Sequence, residues 1–374
     1  METAAIVVTL PDLRKLWPDL RGVAVVGLDL RTEVIAWSEA KVDRTLLLGC
    51  RLPAGAVDEL VSLGAAVFPE LGGLPFDEYR ADLYTYEELT ARDASGATLD
   101  ERIASWFASS APSMGDLLVR AVHDATIEAA VARLVDGRPV VGIMGGHALA
   151  RDSSLYREVA RVGRALAGAG YLVATGGGPG VMEAGNLGAW MSAFDDDELD
   201  DALTMLAPAA PPRSDSVSFL GDALAVRARW PDGHESLGVP TWVYADEATG
   251  AFATHIAKYF TNSVRENGLL AIARSGVVYA PGGAGTEQEI FTDTAQNSLT
   301  LYAVRSPMVF FGRRYFEQER PELLAAVRRQ ADEFGWPELV AVFEEPDEVV
   351  AFIAAHDPDS SGRAGVARRR THRR

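Results

Sequence analysis

Three apolar segments of this chain each end in a cluster of glycines, and this pattern limits the fold more than any other feature. The segments are 138–146, 171–180 and 275–285, and each is followed by a segment of helical character. Strands that alternate with helices predict a parallel sheet covered on both faces. We therefore expect an α/β fold with a Rossmann-like, doubly wound parallel sheet and helices on both faces.

The residues before this region predict a smaller α/β domain at the N-terminus. Residues 22–30 and 44–50 have the apolar character of strands, and 54–65 has the spacing of a helix. We see no internal repeat at a solenoid period. The predicted domains are 1–135, an N-terminal α/β domain of unknown role; 136–355, the Rossmann domain; and 356–374, a disordered arginine-rich tail.

Three further segments of the second domain carry predictions. Residues 239–245 are expected to form a strand, and 252–267 an amphipathic helix. Residues 195–215 are acidic and then rich in proline and alanine, which predicts an exposed insertion or flexible loop.

Charge and cysteine content narrow the classes of function. The 374 residues carry a formal net charge of −18, which argues against broad nucleic-acid binding, because such binding needs a cationic surface. The six arginines of the tail predict a solvated end, with contact to RNA or to an acidic partner as the alternative. Cys50 is the single cysteine, and no signal peptide or membrane-spanning stretch is recognisable. We expect a cytoplasmic protein with no membrane association.

The segment "PGGAGT" (281–286) predicts a binding loop for one phosphate group. The residues after Gly285 are Thr286, Glu287 and Gln288, where a Walker loop needs a lysine and then serine or threonine, so a Walker ATPase is excluded. "GGGPG" also departs from the dinucleotide fingerprint, which disfavours a nicotinamide enzyme. Backbone N–H groups before a helix suit a phosphate monoester held without a metal. No set of histidines and carboxylates has metal-ligand spacing, so we expect neither a metal nor a cofactor.

Glu289 lies three residues after Thr286 and shares its helix face. A carboxylate beside a phosphate is unfavourable unless an arginine or a developing cation compensates its charge. Cleavage of an N-glycosidic bond develops such a cation, because its transition state resembles an oxocarbenium ion. The pattern therefore favours this reaction.

Three motifs resemble those of the LOG ("Lonely Guy") family, whose members are also misnamed lysine decarboxylases. "PGGAGTEQE" resembles its P-G-G-x-G-T-x-x-E signature, "TGGGPGVMEAGNLGA" its other glycine motif, and "GIMGGHALARDSSLYREVA" its first strand and turn. The resemblance covers about residues 136 to 345. The longer bacterial nucleotide nucleosidases of this family, which have an added N-terminal domain, are the most similar.

The resemblance implies a nucleoside 5′-monophosphate phosphoribohydrolase, which releases the free base and ribose 5-phosphate. The substrate would be a cytokinin riboside monophosphate or a purine or pyrimidine nucleotide in general. The family's catalytic pair corresponds to Glu289 and Arg265, with Arg274 as the competing arginine, and Glu183 corresponds to a further acidic residue at the substrate.

The resemblance also assigns binding roles to the glycine turns. The predicted phosphate-binding residues are Gly282, Gly283, Ala284, Gly285 and Thr286. The predicted base- and ribose-binding residues are Gly145, Gly146, His147, Gly177, Gly178, Gly180, Met182 and Asn186.

A second hypothesis stays open. On the same fold, the chain could be a non-catalytic protein that binds a nucleotide or a molybdopterin-type cofactor, and such a protein would not need the arginine–glutamate pair. A homodimer or higher homo-oligomer is implied by the resemblance, with the predicted helix 252–267 as interface and Lys258 on its surface. A pyridoxal enzyme is not expected, because it needs a Schiff-base lysine in a matching pattern.

Overall fold

The computed structural model describes residues 6–33, 35–108, 111–207, 216–244 and 249–358, with the backbone alone for 216–218. The contacts divide the chain into two compact units. The first consists of Met1–Leu83 and Arg92–Arg133, and the second of Tyr84–Ala91 and Leu134–Arg374. Most of the arginine-rich tail, whose disorder the sequence predicts, lies outside the described residues.

The first unit contains a parallel sheet of four short strands in the order β1-β2-β3-β4, so each strand pairs with its neighbour in sequence. The strands are β1 (Ile6–Val7), β2 (Ala24–Val26), β3 (Leu46–Leu48) and β4 (Ala66–Phe68). The helices are α1 (Leu10–Leu16), a 3-10 turn (Trp37–Glu39), α2 (Ala56–Ser62), α4 (Leu99–Ala108) and α5 (Met114–Val135), whose last residues belong to the second unit. Val25, Leu47 and Leu60 lie in its apolar core.

Residues 19–29 and 41–51 form two successive turns of chain in this sheet, and paired positions in them are separated by a constant number of residues. Ala24 pairs with Leu46, and the bridges Asp19–Lys41 and Asp29–Arg51 keep the same offset. Gly27 and Gly49, again at that offset, both have positive φ angles, 67° and 60°. This repeat is hard to recognise in the sequence, because apart from the glycines the matching positions share backbone conformation and apolar character more than residue identity.

The second unit contains a parallel sheet of seven strands in the order β11-β10-β9-β5-β6-β7-β8. The strands are β5 (Val140–Met144), β6 (Leu172–Thr175), β7 (Ser236–Gly238), β8 (His255–Ile256), β9 (Gly276–Tyr279), β10 (Met308–Phe311) and β11 (Val340–Phe343). The central strands are buried along their whole length, as their continuous apolar runs predict. The predicted Rossmann-like, doubly wound α/β fold is confirmed.

Helices connect these strands and cover the sheet. They are α3 (Tyr86–Thr90), α6 (Ser154–Gly168), α7 (Val181–Met191), α8 (Asp196–Leu206), α9 (Ser216–Arg229), α10 (Asn262–Ile272), α11 (Ala284–Leu299), a π-helix (Tyr315–Glu319), α12 (Pro321–Phe334), a 3-10 turn (Pro337–Leu339) and α13 (Pro346–His356). None of the helices within the described ranges is long and apolar enough to cross a membrane.

The strand order reverses between β5 and β9. From β5 the chain moves outward through β6, β7 and β8, and then returns to place β9 on the other side of β5. In open α/β sheets such a reversal opens a crevice at the carboxyl ends of the strands, and ligands bind there. The three glycine turns follow β5, β6 and β9, so they lie at this crevice.

Three segment predictions for the second unit were wrong. Residues 252–267 are not one helix, because β8 occupies His255–Ile256 and α10 begins at Asn262. The strand expected at 239–245 is β7, which ends at Gly238. Within 195–215, Asp196–Leu206 forms α8, whose Asp195 cap and buried leucines stabilise it; residues 208–215 lie outside the described residues. The acidic side of α8 concealed its apolar face.

Helices α6 and α7 approach each other closely at glycines. A Cβ atom added at Gly188 would lie 1.9 Å from the carbonyl oxygen of Ala160, and one at Gly163 would lie 2.3 Å from that of Gly185. Both obstacles are backbone atoms, which cannot move aside as a side chain can. The absence of a side chain therefore sets the distance between these helices.

We expect Gly188→Ala to destabilise the protein, because the methyl group would force α6 and α7 apart. Overpacking of this kind costs about 1–3 kcal/mol or more in the free energy of unfolding. Chemical denaturation would measure the loss. Gly168→Ala is the matched control, since a Cβ there meets no atom within 4 Å; it should leave stability unchanged or raise it. Equal effects of the two substitutions would contradict the close packing.

Candidate functional site

The glycine turns after β5, β6 and β9 are joined by backbone hydrogen bonds. The N–H of Gly146 donates to the carbonyl oxygen of Pro281 at 3.0 Å, and the N–H of Val181 donates to that of Gly146 at 3.1 Å. These bonds connect the turn after β5 to both of the others. The structure thus brings the predicted glycine segments together at the switch point.

The turn after β9 leads directly into α11 and is open to solvent. The helix begins at Ala284 after Gly283, and no side chain of the described segments caps it. Its first N–H groups therefore have no intrahelical acceptor, and the helix dipole makes this end attractive to anions. Gly283, Ala284 and Gly285 are exposed, whereas Thr286 is buried. A Cβ at Gly282 would collide with the Thr286 hydroxyl at 2.2 Å, so this position requires glycine.

Arg265 and Glu289 form a buried ion pair next to this turn. Nη1 of Arg265, on α10, lies 3.4 Å from Oε1 of Glu289, on α11. The rest of the guanidinium donates to backbone carbonyl oxygens, from Nε to Val239 at 2.7 Å and from Nη2 to Gly176 at 3.2 Å. The structure places Arg265 at Glu289 and leaves the competing Arg274 exposed.

Burial raises the pKa of Glu289 to about 7; Arg265 opposes this shift, and the negative charge of Glu266 adds to it. Burial also raises the pKa of Asp293 to about 7, although the hydroxyl of Tyr279 donates to it at 2.8 Å. Asp293 lies one turn further along α11 than Glu289. This helix therefore carries two buried carboxyl groups that change charge near neutral pH.

Glu183 lies in a separate buried network. Its carboxylate accepts hydrogen bonds from Nε of Arg151 at 2.8 Å, from Nη2 of Arg151 at 2.5 Å and from the hydroxyl of Tyr156 at 2.9 Å. Arg151 also stacks on Phe219, with Cζ 3.4 Å from the ring centroid. Glu183 is only 2% exposed. A contact between Glu183 and a substrate stays a prediction. In this structure the hydrogen bonds of Glu183 hold the first turn of α7 in place.

The other predicted base- and ribose-binding residues surround the β6 turn. Asn186 on α7 accepts a hydrogen bond from the hydroxyl of Thr175 at 2.6 Å, and its buried Nδ2 atom has no hydrogen-bond partner among the described residues. Gly177, Gly178, Gly180 and Met182 are buried, Gly145 and Gly146 lie at the end of β5, and His147 is exposed. Their contact with a ligand also stays a prediction.

Several neighbours of the site escaped the sequence analysis. Tyr315 donates from its hydroxyl to the carbonyl oxygen of Gly282 at 2.8 Å, and Arg320 pairs with Glu287 at 2.7 Å. Glu266 follows Arg265 on α10 and accepts hydrogen bonds from Asn262 and Gln288. The only sign of Glu266 in the sequence was its position next to Arg265. Its contact with Gln288 could not be predicted without knowing how α11 packs on α10.

Lys258 is buried, contrary to the prediction that it lies on a helix surface. It is 4% exposed, follows β8, and donates to the Thr249 hydroxyl at 3.0 Å. The ammonium group also lies 5.5 Å from the centre of the Trp242 ring. Among the described residues, no group of histidine, cysteine and carboxylate side chains is arranged to hold a metal ion.

Comparison with protein families gives a partial match. Residues 138–192 match the family model described as the SLOG cluster4 family. The matched segment holds β5, α6, β6 and α7 with the first two glycine turns, but not α11 or the "PGGAGT" turn. Comparison with curated proteins finds no match.

Two solved structures resemble the chain over 58% of its length. One is the molybdenum cofactor binding protein of the phototrophic bacterium Rippkaea orientalis, with 16% identity, a TM-score of 0.34 and 96% of that chain covered. The other is the molybdenum cofactor carrier protein of Chlamydomonas reinhardtii, with 17% identity, a TM-score of 0.36 and 97% of that chain covered. At this similarity no ligand or residue role follows from either structure.

The raised pKa of Glu289 predicts a pH-dependent stability. A carboxyl group with a higher pKa in the folded state stabilises that state at low pH, and this contribution is lost as pH rises from about 4.5 to about 7. In Glu289→Gln, the fall in unfolding free energy between pH 5 and pH 8 should shrink by on the order of 2 kcal/mol. Denaturation at both pH values would measure it.

Asp293 titrates in the same range, so part of the pH dependence should persist in Glu289→Gln. Glu338→Gln, which removes an exposed carboxylate, is the control and should behave as the wild type. If Glu289→Gln showed the full wild-type pH dependence, Glu289 would not titrate near neutral pH.

Proposed function

We propose that the second unit binds a nucleoside 5′-monophosphate at the switch point and hydrolyses its N-glycosidic bond. The phosphate would bind the first turn of α11, where exposed N–H groups and the helix dipole favour an anion. The base and ribose would lie toward the turns after β5 and β6. This extends the LOG-like interpretation of the motifs to the whole crevice.

The observation that carries the hydrolytic proposal is the buried Arg265–Glu289 pair. Glu289 lies one helical turn from the proposed phosphate-binding residues, on the same helix. As the bond from C1′ to the base breaks, positive charge develops on the ribose. A carboxylate in a buried site stabilises this charge more strongly than one in water. Arg265 would orient the carboxylate and offset its charge while the phosphate is bound.

Ligand binding without turnover is the second candidate. The guanidinium of Arg265 donates to the carbonyl oxygens of Val239 and Gly176, so the ion pair also joins the ends of β6 and β7. A structural role of this kind needs no reaction. In that case the crevice would hold a nucleotide or a molybdopterin-type cofactor; the two similar structures are named for a molybdenum cofactor.

A homo-oligomer remains part of the proposal, with a changed interface. The helix expected at 252–267 does not exist, but the outer face of α11 and the following loop expose apolar side chains. These are Phe291, Leu299, Leu301 and Tyr302. A groove of about 470 Å³ is lined by Phe291, Leu301 and Tyr302 together with Gln288. A second copy of the chain is the proposed occupant.

We expect the wild-type protein to release base from AMP, GMP or CMP, or from N6-modified AMP. Glu289→Ala should lower kcat by at least ~100-fold, because it removes the carboxyl group that stabilises the positive charge developing on the ribose. Chromatography of the free base would measure the rate. Glu333→Ala, an exposed acid on α12, is the control. Tight nucleotide binding without release by the wild type would favour the second candidate.

The phosphate position can be tested without reference to turnover. A Cβ at Gly285 meets no atom within 4 Å, so Gly285→Ala should leave the folded chain intact and should favour the helix. We expect it to weaken nucleotide binding by about tenfold or more, because the methyl group would hinder the approach of phosphate to the N–H groups. Calorimetric titration would measure this, with Gly221→Ala on α9 as control. Unchanged affinity would place the phosphate elsewhere.

A further inference from the structure

Glu266 is a buried carboxylate whose hydrogen bonds come from amide groups. It is 7% exposed and lies on α10, directly after Arg265. Nδ2 of Asn262 donates to its Oε1 at 2.8 Å, and Nε2 of Gln288 donates to its Oε2. In the part of the chain that the structure describes, no cationic side chain forms an ion pair with it. A buried charge without a cation is costly, so a position that keeps one invites a functional explanation.

Two side-chain contacts link α10 to α11 side by side. Arg265 pairs with Glu289, and Glu266, the next residue of α10, bonds to Gln288, the preceding residue of α11. Asn262, one turn earlier on α10, supports the second contact. Glu266 thus holds the part of α11 that carries Glu289, and it brings a second negative charge into the same cluster.

We propose that Glu266 is a positioning residue: its contact with Gln288, beside the Arg265–Glu289 pair, holds the Glu289 side chain, and its negative charge favours the protonated carboxyl group, which donates its proton to the departing base. This inference rests on the proposed hydrolysis. A neutral carboxyl group can also lie beside a bound phosphate without repulsion, which a carboxylate cannot do.

In the proposed step, one bond to C1′ breaks and another forms. The bond between C1′ and the base nitrogen breaks, its electron pair stays with the base, and the base accepts the Glu289 proton. The resulting carboxylate faces the ribose cation and stabilises it. A water oxygen then bonds to C1′, and a proton of that water returns to Glu289. The products are the free base and ribose 5-phosphate, and no metal or redox partner takes part.

The charged and titratable groups near Glu289 come from three elements. Arg265 and Glu266 lie on α10, Tyr279 on β9, and Asp293 on α11 itself. Burial is the largest cause of the raised pKa of Glu289, Arg265 opposes it, and Glu266 reinforces it. Removing the charge of Glu266 should therefore lower the pKa of Glu289.

The test is Glu266→Gln in the full-length protein, because glutamine keeps the shape and an acceptor oxygen but removes the charge. Activity and unfolding free energy would each be measured across pH. The Glu289 contribution to unfolding is isolated by comparing each protein with its Glu289→Gln counterpart. We expect the midpoint of this titration, about 7 in the wild type, to move down by ~1 pH unit in both measurements.

Glu348→Gln, an exposed acid in the first turn of α13, removes an equal charge and should not move the midpoint. Gln288→Lys, at an exposed position, places a cation beside Glu266 and should shift the midpoint in the same direction. An unchanged midpoint in Glu266→Gln, or in Gln288→Lys if the former does not fold, overturns the proposal. Absence of base release by the wild type would refute the hydrolysis, whereas the unfolding titration would still decide the role of Glu266.

Discussion

The guanidinium of Arg265 is the group on which the candidate site depends. One side chain donates to the end of β6 at Gly176, to the residue after β7 at Val239, and to Glu289 on α11. A Cβ at Gly176 would lie 2.4 Å from Nη2, so the absence of a side chain at this position leaves room for the guanidinium. Because the guanidinium is buried, losing any of these acceptors would leave one of its N–H groups without a hydrogen bond, which is destabilising. Site geometry and local stability are therefore coupled.

The chemistry of the site follows from two opposed electrostatic demands. The start of α11 attracts an anion, and a nucleotide phosphate brings about two negative charges. The same helix carries the buried carboxyl groups of Glu289 and Asp293, which would repel such a ligand if both were ionised. Burial resolves the conflict, since it makes the neutral form of each group accessible near pH 7. The affinity for a phosphate ligand should then change with the protonation of Glu289 and Asp293.

The sequence predicted what depends on local pattern. The strand–helix alternation gave the doubly wound sheet, and the glycine turns gave the edge where Gly146 meets Pro281. It did not predict β8 inside 252–267, because apolar residues at helical spacing there are buried by tertiary packing. Nor did it single out Arg151 or Glu266, whose partners lie on distant segments. The contact between Glu266 on α10 and Gln288 on α11 cannot be recognised from the sequence of either helix alone.

The pairing of β5 with β9 has a consequence for how the protein folds. Every strand of the first unit pairs with its sequence neighbour, so its sheet can form from local encounters. In the second unit, Val141 pairs with Gly276, and the intervening chain contains three strands and five helices of its own. Contacts between distant segments form slowly, because a long loop must close first. The crevice lies at the ends of these two strands, so its formation depends on the kind of contact that closes the longest loop of this sheet.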